Sequence, residues 1–132
     1  ILNLKFPKVK NWIKRRREIA EIYNVELKNT SLILPKQEKG RKHVYHLYTV
    51  FHPKRDLILK KLKVKKIYPQ IYYPYPIHKM KAYRNFASNN RDTLTITEKK
   101  AKGIFSLPLY PKISNYDVKK ITKTIKTILK TV

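Results

Sequence analysis

The sequence predicts a small α+β domain entered through a long helix. Three observations carry this. Apolar residues recur at mostly three-and-four spacing near both ends of the chain, over 2–27 and 115–130, the stripe of an amphipathic helix. Between them lies His43-Val44-Tyr45-His46-Leu47-Tyr48-Thr49-Val50-Phe51, rich in β-branched and aromatic residues and bounded by turn signals, which is the composition of a central strand. Two further runs, Ile71-Tyr72-Tyr73-Pro74-Tyr75-Pro76-Ile77-His78 and Ser106-Leu107-Pro108-Leu109-Tyr110-Pro111, interleave proline with aromatic and apolar residues and contain no glycine. Proline fixes its own φ and pushes the residue before it toward extended backbone, so both runs are stiff. The expected sheet is short, mostly antiparallel and packed against helices.

The elements follow in order. Leu2, Phe6, Val9, Ile13, Ala20, Tyr23 and Leu27 form the stripe of the first helix, with Pro7 either kinking it or marking its true first turn. Lys14, Arg15, Arg16 and Arg17 cluster on that helix and read first as a solvated face, second as an anion site. A short strand is expected at 31–34, closed by Pro35, and 36–42 is a charged loop around Gly40. The strand at 43–51 comes next. Pro53 opens a helix over 54–63, with Leu57, Ile58, Leu59 and Leu62 on its buried side and Asp56 in its first turn, where the helix dipole favours negative charge. A strand over 67–73 runs into the first proline segment. Brief helices are expected at 79–86 and 97–105, separated by a polar loop containing Asn89, Asn90 and Asp92. The last helix starts at Asn115, capped by Ser114 or Asn115, with Val118, Ile121, Ile125, Ile128 and Leu129 on one face.

Composition limits the functions available. The 132 residues suit one domain and include no cysteine, so neither disulfides nor thiolate chemistry is open to them. No apolar run approaches the roughly 18–20 residues of a membrane span, and the first residues do not form a signal peptide. The chain begins on Ile1 rather than methionine, so it is expected to start inside a longer protein. Only two glycines occur, Gly40 and Gly103, which rules out a glycine-rich phosphate loop. His43 and His46, three apart on a strand, would point to opposite faces, and no cysteine or carboxylate cluster completes a metal site. The eight acidic residues show no acid–base pairing. The net charge of +24 and ten tyrosines leave open a stand-alone module binding nucleic acid or another polyanion. The scattered lysines, accompanied by many Ile, Tyr and Asn, equally fit biased composition.

The order of motifs resembles the C-terminal portion of the DegT/DnrJ/StrS sugar aminotransferases, a family of pyridoxal-phosphate enzymes. Asn11-Trp12-Ile13-Lys14-Arg15-Arg16-Arg17-Glu18-Ile19-Ala20-Glu21-Ile22-Tyr23-Asn24 is similar to the long helix leaving that family's large domain. His43-Val44-Tyr45-His46-Leu47-Tyr48 resembles its H-x-x-H-L-[FY] strand, and Arg55-Asp56 followed by Leu62 its next helix. Tyr73-Pro74-Tyr75-Pro76-Ile77-His78 with Ala82-Tyr83 is similar to its YPxPxH…AY segment. Glu98 followed by Ser106-Leu107-Pro108-Leu109-Tyr110-Pro111 is similar to its E…SLPLYP tail. Five motifs in the right order make the resemblance specific.

The resemblance implies the small C-terminal domain of a fold type I enzyme: residues 1–29 as a helix leading from an absent large domain, and 30–132 as the small domain. It implies transfer of an amino group, usually from glutamate, to a nucleotide-linked keto sugar in amino-sugar or surface-polysaccharide synthesis. The cofactor would be pyridoxal 5′-phosphate, on a lysine of the large domain. The enzyme would be a cytoplasmic homodimer, without membrane or nucleic-acid partners. The chain alone would be inactive, with no catalytic, cofactor or metal residue of its own. Its expected substrate contacts are Tyr73, His78 and Tyr72. The His78 imidazole would donate either to a substrate phosphate or hydroxyl or to the loop backbone. Strand alternation would let only one of Tyr72 and Tyr73 face a cleft. The chain departs from the family at Lys66, where a glycine precedes the isoleucine, and at Tyr72, where a histidine often stands.

Overall fold

A computed structural model describes residues 1–83 and 94–132. The chain opens with α1 (Leu2–Lys5), a 3-10 turn (Phe6–Lys8) and α2 (Val9–Leu27). Pro7 lies in the first positions of that turn. Its missing N–H and fixed φ tighten the helix locally without ending it. The apolar stripe is buried only in its second half, at Ile19, Ala20, Tyr23 and Leu27, whereas Leu2 and Phe6 are 82% and 77% exposed. The N-terminal part of the stripe therefore has no partner within the described residues.

The core lies between α2, α3 (Arg55–Val64), α5 (Asn115–Leu129) and a two-stranded antiparallel sheet. Strand β1 (Tyr48–Phe51) pairs with β2 (Ile104–Leu107) in the register Tyr48 with Leu107 through Phe51 with Ile104. Single bridges extend both edges, Ile33 with Phe51 and Gln70 with Ser106. On α5, Val118, Ile121, Thr122, Ile125 and Ile128 are buried. Ser114 caps α5: its Oγ accepts from the Asp117 amide at 3.0 Å and donates to Asp117 Oδ2 at 2.6 Å. The expected cap and first-turn carboxylate are thus both in place.

Several expected elements are shorter than composition suggests. The strand at 43–51 holds only for Tyr48–Phe51. Before it, Tyr45 adopts φ +48°, and side chains of α2 take the backbone carbonyls of 43, 45 and 46. Backbone bonded in that way cannot run as a ladder. The strand at 67–73 is reduced to Gln70, because Pro69 brings no N–H and φ is fixed again at Pro74. The strand at 31–34 shrinks likewise to Ile33, whose N–H and C=O both bond Phe51 at 3.0 Å.

The helix expected at 97–105 is α4 (Thr95–Gly103), and it stops where β2 begins. Gly103 packs so tightly there that a Cβ would lie 2.3 Å from the Phe51 ring and 2.9 Å from the His52 carbonyl. The helix expected at 79–86 is replaced by 3-10 turns at Ile77–Lys79 and Lys81–Tyr83. The remainder of that expectation, and the polar loop with Asn89, Asn90 and Asp92, lie outside the described residues. On α3, Leu57 is 43% exposed while Ile58 and Leu62 are fully buried.

The end of α3 accounts for Lys66. The Lys66 N–H bonds the Lys63 carbonyl at 2.9 Å and the Ile67 N–H bonds the Leu62 carbonyl at 3.0 Å. This is a Schellman motif with Lys66 at the left-handed position, φ +58°. A side chain there costs about 1 kcal/mol relative to glycine.

Candidate functional site

The proline-aromatic segment is held from below and bare above. Its anchor is His78, whose Nε2 lies 3.1 Å from Oε1 of Glu98 on α4. A carboxylate only accepts, so Nε2 carries the hydrogen. The Lys79 ammonium reaches the same oxygen at 3.1 Å. These two donors, His78 first, hold the Glu98 carboxyl below the usual carboxylate range. His78 thus serves the loop through a carboxylate of another helix rather than through loop backbone.

Tyr72 and Tyr73 are 54% and 69% exposed. No strand alternation separates them, because 71–73 is not a strand. Of the three expected contact residues, His78 is half-buried on Glu98 and the two phenols stand in solvent.

The second proline run is tied to the core. The Tyr23 hydroxyl donates to the Pro108 carbonyl at 2.8 Å. Ser106 Oγ and Thr49 Oγ1 share a hydrogen bond of 2.9 Å across the sheet. Tyr23 and Tyr48 rings pack 4.9 Å apart, and the Tyr48 hydroxyl donates to Asn24 Oδ1 at 2.7 Å. Burial pushes both phenols well above their ordinary pKa, so they remain neutral donors. Tyr110, by contrast, is 52% exposed, beside Trp12 and Pro111 on one side and Asp117 and Lys120 of α5 on the other.

The arginine cluster is the feature that residue patterns hid. Arg16 Nη1 donates to the carbonyls of Tyr45 at 3.1 Å, His46 at 2.9 Å and Leu109 at 3.3 Å. Arg17 Nε donates to the His43 carbonyl at 2.9 Å. Arg15 Nη2 reaches the Ile113 carbonyl at 2.9 Å and Asn115 Oδ1 at 2.7 Å. Lys14 is exposed, but the arginine cluster is not a solvated face. It binds both motif segments to α2. A basic run on a helix, followed by the H-x-x-H-L strand motif and one glycine-free, proline-rich crossing, is the one available sequence signal.

His52 is buried, with Nδ1 accepting from the Lys54 amide at 3.1 Å and Nε2 lying 3.2 Å from Ser31 Oγ. Burial, then the Lys54 charge, lowers its pKa. With Nδ1 an acceptor, Nε2–H donates to Ser31, and the ring is a structural peg.

These motif segments, in this order on this scaffold, match a known family model over residues 1–126, that of DegT/DnrJ/EryC1/StrS aminotransferases. The chain belongs to the DegT/DnrJ/EryC1/StrS aminotransferase family. A relative named "Pleiotropic regulatory protein" from Geobacillus stearothermophilus is 35% identical over 93% of this chain and 35% of its own length. The dTDP-3-amino-3,4,6-trideoxy-alpha-D-glucose transaminase of Micromonospora megalomicea is 31% identical over 98% of this chain and 36% of its own length. Among solved structures, S. venezuelae DesV, in complex with a ketimine intermediate, superposes with a TM-score of 0.92 at 25% identity, over 99% of this chain and 35% of DesV. The chain therefore spans about a third of the length of these family members.

Pyridoxal 5′-phosphate, the cofactor of the family, does not fit the described residues. The buried polar side chains among them are His52, Ser106 and Thr122, so no buried lysine faces a carboxylate. Gly40 lies in open space and Gly103 is filled by Phe51, so neither shapes a phosphate cradle. No described group of three His, Asp or Glu side chains gathers for a metal, and no described helix is long and apolar enough to cross a membrane.

Proposed function

We propose that this chain is the C-terminal third of an aminotransferase acting on a nucleotide-linked keto sugar, with residues 1–29 leading from a large domain and 30–132 forming the small domain. The observation that carries the reading is the lopsided coverage: nearly the whole chain matches, and only about a third of each relative does. Two surfaces support it. Ile1, Leu2, Leu4 and Phe6 are each more than three-quarters exposed, an apolar turn suited to packing against the rest of such an enzyme. Tyr72, Tyr73 and Tyr75 stand in solvent above the His78–Glu98 anchor, where a substrate lying between domains would meet them.

In this reading the cofactor, its lysine and the amino donor, such as glutamate, belong to the large domain, and the enzyme works as a homodimer in the cytoplasm. Tyr73 and Tyr72 offer hydroxyl donors to the substrate, and His78 sets the height of the loop. The chain alone is catalytically silent. The test is titration of the isolated chain with pyridoxal phosphate. Expected is the spectrum of free cofactor, with no shifted visible band and no transamination of a dTDP-keto sugar with glutamate. A stable lysine-linked band would refute the silent-third reading. In an enzyme carrying this chain as its small domain, Tyr73→Phe should raise KM several-fold with kcat little changed.

A further inference from the structure

We infer that the groove between the end of α3, the 108–110 crossing and the start of α5 binds a small phosphate-bearing anion. This groove of about 420 Å³ is lined by Lys65, Lys66, Lys120, Tyr68, Tyr110 and Asp117, among others, and by none of Tyr72, Tyr73 and His78.

Three observations converge on it. First, Lys65, Lys66 and Lys120 enter no ion pair among the described residues. By contrast, Lys79 and Lys126 each hold a carboxylate at 3.1 Å or less, and Lys61 holds Thr131. Three unpaired ammonium groups around one concavity repel one another, and a multiply charged anion relieves all three at once. The groove's own carboxylate, Asp117, accepts the Ser114 hydroxyl at Oδ2 at 2.6 Å and keeps its negative charge, so the three lysines outweigh it by two.

Second, Lys66 holds φ +58° at a helix-terminating position where glycine is unstrained. Backbone strain of this kind is kept where the side chain has a task. Third, Tyr68 and Tyr110 are 58% and 52% exposed on the groove wall. They add hydroxyl donors for phosphate oxygens and ring faces for a base. Lysine suits this ligand as a point charge with three donors.

The inference stands on the chain alone, so its failure would leave the aminotransferase reading untouched. The test is calorimetric titration of the 132-residue chain with inorganic pyrophosphate at low ionic strength. Expected is saturable 1:1 binding. Lys66→Gly should weaken it about three- to tenfold while raising Tm by about 3–5 °C, as relief of the positive φ requires. Lys66→Arg should keep the affinity within about twofold.

Should Lys66→Gly fail to fold, Lys65→Ala and Lys120→Ala, at positions without positive φ, must each weaken binding. Unchanged affinity in Lys66→Gly, or an equal loss in the distant loop variant Lys39→Ala, overturns the site. The second result would mean attraction by overall charge only. A nucleoside diphosphate run in parallel separates two sources of the phosphate. Tighter binding that is lost in Tyr110→Ala assigns a nucleotide. Affinity equal to pyrophosphate assigns free diphosphate.

Discussion

Arg16 carries more of this fold than its place in a basic run suggests. One guanidinium nitrogen serves carbonyls from two separate motif segments. Replacement by alanine would leave partly buried carbonyls without a donor, and hydrogen bonds to charged groups contribute about 1.5–3 kcal/mol each. Arg16→Ala should therefore cost about 2–4 kcal/mol in urea unfolding, well above an ordinary surface substitution. His52 makes a pH prediction. Its folded pKa lies below the unfolded value of about 6.5. The unfolded chain thus binds the extra proton first, and stability is full above about pH 6.5 and falls as pH drops toward the lowered folded value. Unfolding midpoints measured down from pH 7.5 should show this slope, and His52→Gln should flatten it. Neither role was legible in sequence, because a carbonyl acceptor or a burial depth leaves no mark on residue type. Glu98 was visible only as a member of a motif; its pairing with His78 spans twenty positions.

The helices were the legible elements. Apolar spacing located α2, α3 and α5, and Ser114 with Asp117 marked the start of α5 to the residue. Ser114→Ala should cost about 1 kcal/mol, seen as a lower Tm with faster amide exchange confined to the first turn of α5. The strands were overread for one physical reason. β-branched and aromatic composition reports burial on a pleated surface, not the presence of a ladder partner. Tyr45 is buried as expected of a strand residue, yet its φ is +48° and its neighbours bond arginines. The boundary between α4 and β2 was missed because glycine signals a close approach only once the approaching group is known. Here that group is the Phe51 ring. Gly103→Ala should consequently be among the most damaging single-methyl changes, costing about 1–3 kcal/mol by overpacking.

At the scale of the whole molecule, a net charge of +24 on 132 residues opposes compaction. Raising ionic strength from about 0.01 to 0.15 M shortens the screening length from about 30 to 8 Å. Thermal stability should rise over that interval, the reverse of a fold held by surface ion pairs. A Tm that falls with salt would show that pairs such as Lys126–Glu26 outweigh the general repulsion. The sequence by itself determined the family, the α+β class and the terminal helices. Those follow from residue order and periodicity. Only the tertiary structure decided that the arginines clamp carbonyls, that His78 rests on Glu98, and that Lys66 stands at the edge of a cationic groove. Each of these is a pairing between residues set by the path of the backbone in space, and local sequence carries no measure of such distances.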